Sequence, residues 1–384
     1  MNLQLYHQYI PSKYIPIRLA GNGIFGKVYI CLPRDIAMSA KANASLRMAD
    51  LRNKTIAVKV ADGGKHLHNN HTPARRVLAK EVSTMQKIQA ARCSDLMDQL
   101  PTILQHGPLL ISPSSKEPPE CDWLAMEVFH SPVTFLNFRR NFTFDAYTAP
   151  DELGAHIFLQ LYPALQFLHK NLGIAHGDVH FGNILVDTKR ETKHGFPGLV
   201  LIDYGSSLDD PPDEVETLKR EDIKGLCCAI IEATEYNSKH VTDIQDTTQG
   251  EPIDRELRWE ESGGDSVNDE TDTTPGKTSD KSPEWDDLTG YCISDRKETI
   301  PGKTTARSPE WKKFLELIDD RGYGEDLKID MEEVWSRYER HATELLEQVT
   351  PDTVQYIRNL VEKTAQKSKG RVTDEVLQTA INSL

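Results

Sequence analysis

Ten residues, His176-Gly177-Asp178-Val179-His180-Phe181-Gly182-Asn183-Ile184-Leu185, constrain this chain more than any other stretch. A long segment of helical apolar periodicity precedes them and a short apolar run ends them, so they read as a loop that leaves a helix and enters a strand. Within the loop an aspartate and an asparagine stand five residues apart. In phosphoryl transfer a loop of this kind has two jobs: the aspartate accepts a hydroxyl proton and the asparagine holds a metal ion. One such pair can arise by accident, and the weight of Asp178 and Asn183 depends on what flanks them.

Upstream, Lys13–Ala20 alternates in the manner of a strand and runs into Gly21-Asn22-Gly23-Ile24-Phe25-Gly26-Lys27-Val28-Tyr29. Glycines let a backbone approach phosphates closely. A dinucleotide-binding turn leads from strand to helix, whereas Lys27–Cys31 reads as a second strand. The pattern is therefore a hairpin, either a cover for phosphates or a plain glycine hairpin. Residues 33–53 have the composition of a helical connection. Thr55–Val60 reads as a buried strand containing Lys59, and a lysine is costly to bury unless paired; an edge-strand lysine facing solvent is the alternative. The loop from Asp62 holds His66, His68 and His71 and reads as solvated rather than metal-binding. Thr72-Pro73 opens a helix with Leu78, Val82 and Met85 on one face. Glu81 lies beside that face and is the only acid between Asp62 and Asp95, which makes it the candidate partner of Lys59; a solvent-facing Glu81 is the alternative.

Three further strand-like runs follow, Thr102–Gln105, Leu109–Ser112 and Trp123–Phe129, with Pro113–Pro119 as a turn and Ser131-Pro132 as a linker. Leu153, Ile157, Leu161, Leu165 and Leu168 then keep a 3-and-4 spacing, which predicts a long core helix stopping near Gly173. After the Asp–Asn loop, Ile184–Val186 reads as a short strand, Lys189–Gly198 as a polar turn and Leu199–Ile202 as another strand. That strand ends in Asp203-Tyr204-Gly205, an acid at the tip of an apolar run.

A glycine hairpin, a strand lysine, a helix glutamate, an Asp–Asn loop and a strand-tip aspartate, in this order, resemble the protein-kinase-like superfamily over about residues 13–236 and more loosely 308–384. The resemblance implies one domain of α+β class with two lobes, a small β-rich N-lobe over 13–130 and a larger helical C-lobe over 131–384. It implies that Gly21, Gly23, Gly26 and Val28 cover a nucleotide whose phosphates meet Lys59, with Glu81 as the ion-pair partner. Ala57, Met126, Glu127 and Phe129 would line the adenine side, Asp178 and His180 would face the acceptor, and Asn183 and Asp203 would hold Mg²⁺. The implied cofactors are ATP and Mg²⁺.

Three departures qualify the resemblance. Gly177 replaces the usual arginine, which implies that a phosphorylated activation loop is not the switch. His180 replaces the usual lysine, so that His-Gly-Asp-x-His also resembles small-molecule kinases of the aminoglycoside and choline type and some atypical protein kinases. The segment after Gly205 is short and lacks an Ala-Pro-Glu motif, yet Asp222–Glu232 resembles the buried helix that anchors the catalytic loop of protein kinases, with Asp222 as the anchor. The expected activity is an ATP- and Mg-dependent Ser/Thr-type protein kinase with an atypical activation segment. A small-molecule kinase and a pseudokinase scaffold are the alternatives.

Residues 243–307 carry 17 acids against 8 bases, few apolar residues and a repeated Pro-Gly-Lys-Thr and Ser-Pro-Glu-Trp pair, and read as a disordered acidic insert suited to a protein partner. The Gly-Lys-Thr pieces are not P-loops, because Thr271 and Lys297 stand where the first glycine is needed. Ser282 and Ser308 precede proline and are candidate phosphorylation sites, or parts of a neutral duplication. Trp311, Phe314, Leu315 and Ile318 form an amphipathic helix; Met331–Val349 and Thr353–Ala365 read as two more, capped by Asp330 and Asp352. Val372–Leu384 reads either as a last short helix or as a fraying tail. A net charge of -14 argues against nucleic-acid binding by bulk charge. The start of the chain lacks the pattern of a secretory signal, no apolar run approaches the ~20 residues of a spanning helix, and six cysteines are scattered without pairing motifs. The expectation is a cytoplasmic or nuclear protein that engages a phosphate acceptor, with neither nucleic acid nor membrane as partner.

Overall fold

The computed structural model describes residues 10–43, 47–62, 72–91, 99–110, 118–129, 133–142, 151–234, 308–322, 331–367 and 371–384. The acidic insert, Ser282, the histidines at 66, 68 and 71, the Ser131-Pro132 linker, most of the Pro113–Pro119 turn and Asp330 lie outside the described residues.

The chain is mixed α+β. Strands β1 (Tyr14–Asn22), β2 (Gly26–Pro33), β3 (Ile56–Ala61), β4 (Ile103–His106) and β5 (Trp123–Glu127) form an antiparallel sheet in the order β1-β2-β3-β5-β4. The connection between β2 and β3 carries α1 (Arg34–Ala42) and α2 (Met48–Arg52), and α3 (Thr72–Ala91) follows β3. Of the strand expected over Leu109–Ser112 only Leu109 and Leu110 are among the described residues, and there an isolated bridge pairs Leu110 with Glu120. Gly107-Pro108 precedes it, and a proline cannot donate to a ladder.

A second antiparallel sheet joins β6 (Val133–Thr134), β7 (Ile184–Glu191) and β8 (Pro197–Leu201) in that order. Strand β7 runs beyond the expected Val186 to Glu191. Its polar end is the alternation of a strand leaving the core rather than a turn. Asp187 there is buried, and Arg190 reaches back to the Glu127 carboxylate at 2.8 Å. The turn itself is short, closed by the Thr192 N–H on the Phe196 carbonyl at 3.0 Å and the Gly195 N–H on the Thr192 carbonyl at 2.9 Å, with Phe196 buried beneath it.

Helices α4 (Phe135–Phe142), α5 (Asp151–Gln166) and α6 (Pro212–Thr234) build the larger core with α7 (Pro309–Gly322), α8 (Met331–Glu347) and α9 (Pro351–Lys367). The periodic leucines of α5 face inward as expected, and a π turn over Phe167–Asn171 carries Leu168 inward before Gly173, at φ +67°, ends the run. Trp311, Phe314, Leu315 and Ile318 of α7 are all buried. The Phe314 ring lies 5.1 Å from both Phe158 and Tyr338. Asp352 is not the cap of α9. The Thr350 hydroxyl accepts the Thr353 N–H at 3.2 Å, which places Asp352 inside the first turn.

The last element, α10 (Asp374–Asn382), returns to the first sheet. Thr373 caps it, and Leu377, Ala380 and Ile381 bury against Ile15, Ile17, Leu32, Ala37 and Leu51. The tail that the sequence leaves between a short helix and a frayed end is thus a packed helix. Among the described residues no helix is long and apolar enough to cross a membrane.

Leu377 is fully buried. Leu377→Ala is expected to lower unfolding free energy by about 2–5 kcal/mol, the range for a leucine truncated in a packed core. A urea titration checks this; a loss under about 0.5 kcal/mol, typical of an exposed site, would show that α10 is not part of the core.

Candidate functional site

The glycine hairpin is a hairpin in the structure. The Gly23 N–H donates to the Gly26 carbonyl at 2.9 Å, and Ile24 and Phe25 stand exposed at its tip. Strand register aligns Gly21 with Val28, Val28 with Lys59, Lys59 with Leu124, and Ala57 with Met126. Residues directly opposite, or two apart on one strand, share a sheet face. Gly21, Gly26, Val28, Ala57, Lys59 and Met126 therefore line one face of the five-stranded sheet.

Lys59 is the centre of this face. Its ammonium lies 2.7 Å from a Glu81 carboxylate oxygen and 2.8 Å from Asp203 Oδ1. Helix α3 positions Glu81 by burying Leu78, Val82 and Met85 around it, so the glutamate is enclosed and not solvent-facing. Burial alone would pull the Lys59 pKa down, but Glu81 and then Asp203 outweigh it and hold it raised. Burial pushes Asp203 up, yet Lys59 brings its carboxyl below the ordinary range. Glu81 moves up, because its burial exceeds the pull of Lys59. Within the triad the firmly held charges are therefore the ammonium and the Asp203 carboxylate.

Asp203 sits just beyond β8 with φ +67° and ψ +77°, a left-handed conformation that is uncommon outside glycine and costs of order 1 kcal/mol or more. A single 3₁₀ turn, Tyr204–Ser206, follows it. Tyr204 is buried and its hydroxyl donates to the Leu201 carbonyl at 3.1 Å. The strained residue is thus held from both sides.

The Asp–Asn loop is fixed from beneath by α6. The Asp222 carboxylate, buried, accepts the backbone N–H of His176 at 2.7 Å, that of Gly177 at 2.8 Å and the His169 Nε2–H at 2.9 Å. His169 is the member of this set that the sequence does not reveal; it lies on the π turn after α5, off the helical spacing. Burial lowers the pKa of His176, and the neutral ring bridges outward. Its Nε2–H donates to the Ile202 carbonyl at 3.1 Å and its Nδ1 accepts the Asp178 N–H at 3.3 Å. Gly177 has φ +76°, and a Cβ there would stand 2.7 Å from the Ser206 carbonyl oxygen. No side chain fits at 177, so the glycine follows from the packing of the loop on the 203–206 turn.

At the tip, the Asn183 amide donates to the Asp178 carboxylate at 2.8 Å and to the Asp178 carbonyl at 2.9 Å. His180 Nε2 lies 3.5 Å from the other Asp178 oxygen, while His180 Nδ1 accepts the Gly182 N–H at 2.9 Å. The His180 contact draws the Asp178 pKa below the ordinary carboxylate value, and Asp178 in turn raises that of His180. Protonation at Nδ1 would break the Gly182 contact, so this geometry is that of a neutral His180 donating from Nε2.

On the Met126–Phe129 side, the Glu127 N–H already donates to the Thr102 carbonyl at 3.0 Å. The Glu127 carboxylate accepts the Thr102 N–H at 2.7 Å and pairs with Arg190. The Glu127 N–H and carboxylate are thus both engaged within the protein. Phe129 is buried with Leu185 and Val200, and Ile202 packs on the same cluster.

The structure thus brings Lys59, Glu81 and Asp203 into one ion-pair group and Asp178, His180 and Asn183 into one hydrogen-bonded loop. Among the described residues, no group of three or more His, Cys, Asp or Glu side chains gathers as a metal cage. The chain matches no protein-family model and no curated protein sequence. The geometry therefore carries the functional argument.

One contact decides how Asp222 reaches the loop. Gly225, one turn further along α6, lies so close that a Cβ would stand 2.1 Å from the Val179 carbonyl oxygen. In a free helix Gly→Ala stabilises by up to about 1 kcal/mol. Here the sign should reverse: Gly225→Ala is expected to destabilise the protein, which thermal melting measures. A raised melting temperature would show that α6 does not press on the loop.

Proposed function

We propose that this protein is an ATP- and Mg²⁺-dependent phosphotransferase with a two-lobed, protein-kinase-like fold, the five-stranded sheet and α3 forming the small lobe. The observation that carries this reading is the ammonium of Lys59, buried between Glu81 and Asp203, together with a loop in which Asn183 holds the Asp178 carboxylate. A fixed cation on a glycine-hairpin sheet suits the phosphates of a nucleotide. The donor set also fits Mg²⁺: that ion takes one or two protein oxygens and completes its shell with phosphates and water, and Asp203 and Asn183 offer such a pair. A bound magnesium nucleotide would supply the phosphoryl group and neutralise its charge.

The chain's own residues do the rest. Lys59, oriented by Glu81, binds phosphate oxygens. Asp178 stays ionised because its pKa is depressed, accepts a hydrogen bond from the acceptor hydroxyl and takes its proton on transfer. Asn183 and His180 keep that carboxylate aimed. Asp222 holds the loop in place, so that positioning and fixed charge provide most of the catalysis.

The acceptor we favour is a Ser/Thr hydroxyl of a protein, because the Asp222 contacts with the loop backbone match the anchoring helix of protein kinases. A small-molecule alcohol is the second reading. It is favoured by the short link from Gly205 to α6: Leu208 pairs with Ala175 and Asp209 with Lys87, which leaves Ser206–Pro211 close to the body of the protein. In either case the assembled Lys59–Glu81 pair and the absence of room at Gly177 favour a site that needs no loop phosphorylation.

Asp178→Asn is expected to reduce phosphoryl transfer by about 10²–10⁴-fold, the usual contribution of a positioned base, while ATP binding persists. Transfer from labelled ATP to protein, sugar and amino-alcohol acceptors measures this and separates the two acceptor classes. Undiminished transfer by the variant would contradict the assignment.

A further inference from the structure

A cavity of about 430 Å³ opens where the two sheets, two helices and the C-terminal strap converge. Its walls come from Ile30 on β2, from α2, from Val128-Phe129, from Thr188-Lys189 on β7, from α9 and from Arg371-Val372 just before α10. Apart from Phe129 it shares no residue with the candidate active site. The volume is that of a small-molecule site, for which about 300–1,000 Å³ is usual.

The charge on its walls is one-sided in an otherwise acidic chain. Arg52, Lys189 and Arg371 line the cavity against a single carboxylate, Glu362. Their internal partners leave positive charge over. Arg52 gives one terminal nitrogen to Asp374 at 3.0 Å, while its Nε is buried without any hydrogen-bond partner. Lys189 donates to the neutral Asn53 amide oxygen at 2.8 Å. Among the described residues the Arg371 guanidinium has no acceptor, although its backbone carbonyl takes a hydrogen bond from Arg18. Partial desolvation of the exposed Lys189 side chain lowers its pKa; nearby Asp187 resists this, and the Arg52 charge adds to the lowering. Cations in excess of carboxylates around a concave space suit an anion with several charged oxygens.

We infer that this cavity binds a compact organic polyanion, a phosphate ester or a polycarboxylate, between Arg52, Lys189 and Arg371. The three cations sit on three different parts of the chain: the β2–β3 connection, the hairpin strand β7 and the strap leading to α10. A ligand held by all three would tie these parts together. It would thereby stabilise the docking of α10 on the first sheet, which Arg52 and Asp374 already support. The inference does not rest on the phosphotransferase reading: no residue of the Lys59 triad or of the Asp178 loop takes part, and the shared Phe129 supplies only an apolar wall.

The test uses the full chain with three probes, inorganic pyrophosphate, citrate and glucose 6-phosphate, followed by calorimetry and thermal melting. At least one probe is expected to bind saturably and raise the melting temperature. The double variant Lys189→Gln with Arg371→Gln is expected to weaken that binding about tenfold or more, since two charge-assisted contacts are lost. Lys189→Gln alone, at an exposed side chain, is expected to weaken it severalfold and serves if the double variant fails to fold. Binding of none of the three probes, or equal binding to wild type and variants as a site elsewhere would give, overturns the inference.

Discussion

The ammonium of Lys59 is the charge on which the site depends. It belongs to the third strand, one carboxylate comes from α3 and the other from the turn after β8, residues far apart in sequence. A buried ion pair is seldom worth much net, but removal of one partner leaves an uncompensated charge and costs about 3–5 kcal/mol. The three elements therefore hold one another in register. The contact of α3 with the Tyr204–Ser206 turn follows from it: a Cβ on Gly205 would stand 2.8 Å from Val77 on that helix.

A second buried charge plays the same part for the loop. Asp222 gathers two backbone N–H groups and a histidine, and Gly225 lets α6 approach closely enough for it to do so. His176 then passes the order on, from the Ile202 carbonyl next to Asp203 to the Asp178 amide. The two anchored groups, one on the sheet and one on the loop, are thus linked by a neutral imidazole. Gly177, between these two clusters in the loop, leaves no space for a side chain.

Much of the site was legible in the sequence because its signals are local. Glycines in a hairpin, a lysine in an apolar strand, a lone glutamate on the next helix and an acid at a strand tip are all read within a few residues. The fold class and most helices were legible for the same reason, through periodicity. What escaped depends on contacts between distant segments. The docking of α10 needs Ile15 and Leu51, more than 300 residues away, to be exposed for it. The polar half of β7 looked like a turn because its partners, Glu127 for Arg190 and β8 for the backbone, are invisible locally. His169 escaped because a π turn breaks the spacing that would have placed it, and Asp352 reads as a cap in the sequence although Thr350, two residues earlier, offers the same chemistry and makes the contact.

In the proposed reading the Lys59–Asp203 pair receives a magnesium nucleotide. Calorimetric titration of ATP into the wild-type protein and Asp203→Asn, each with and without Mg²⁺, tests it most directly. Mg²⁺ is expected to tighten ATP binding to the wild type and to have no such effect on the variant. Equal Mg²⁺ dependence in both proteins, or no ATP binding by the wild type, would contradict it.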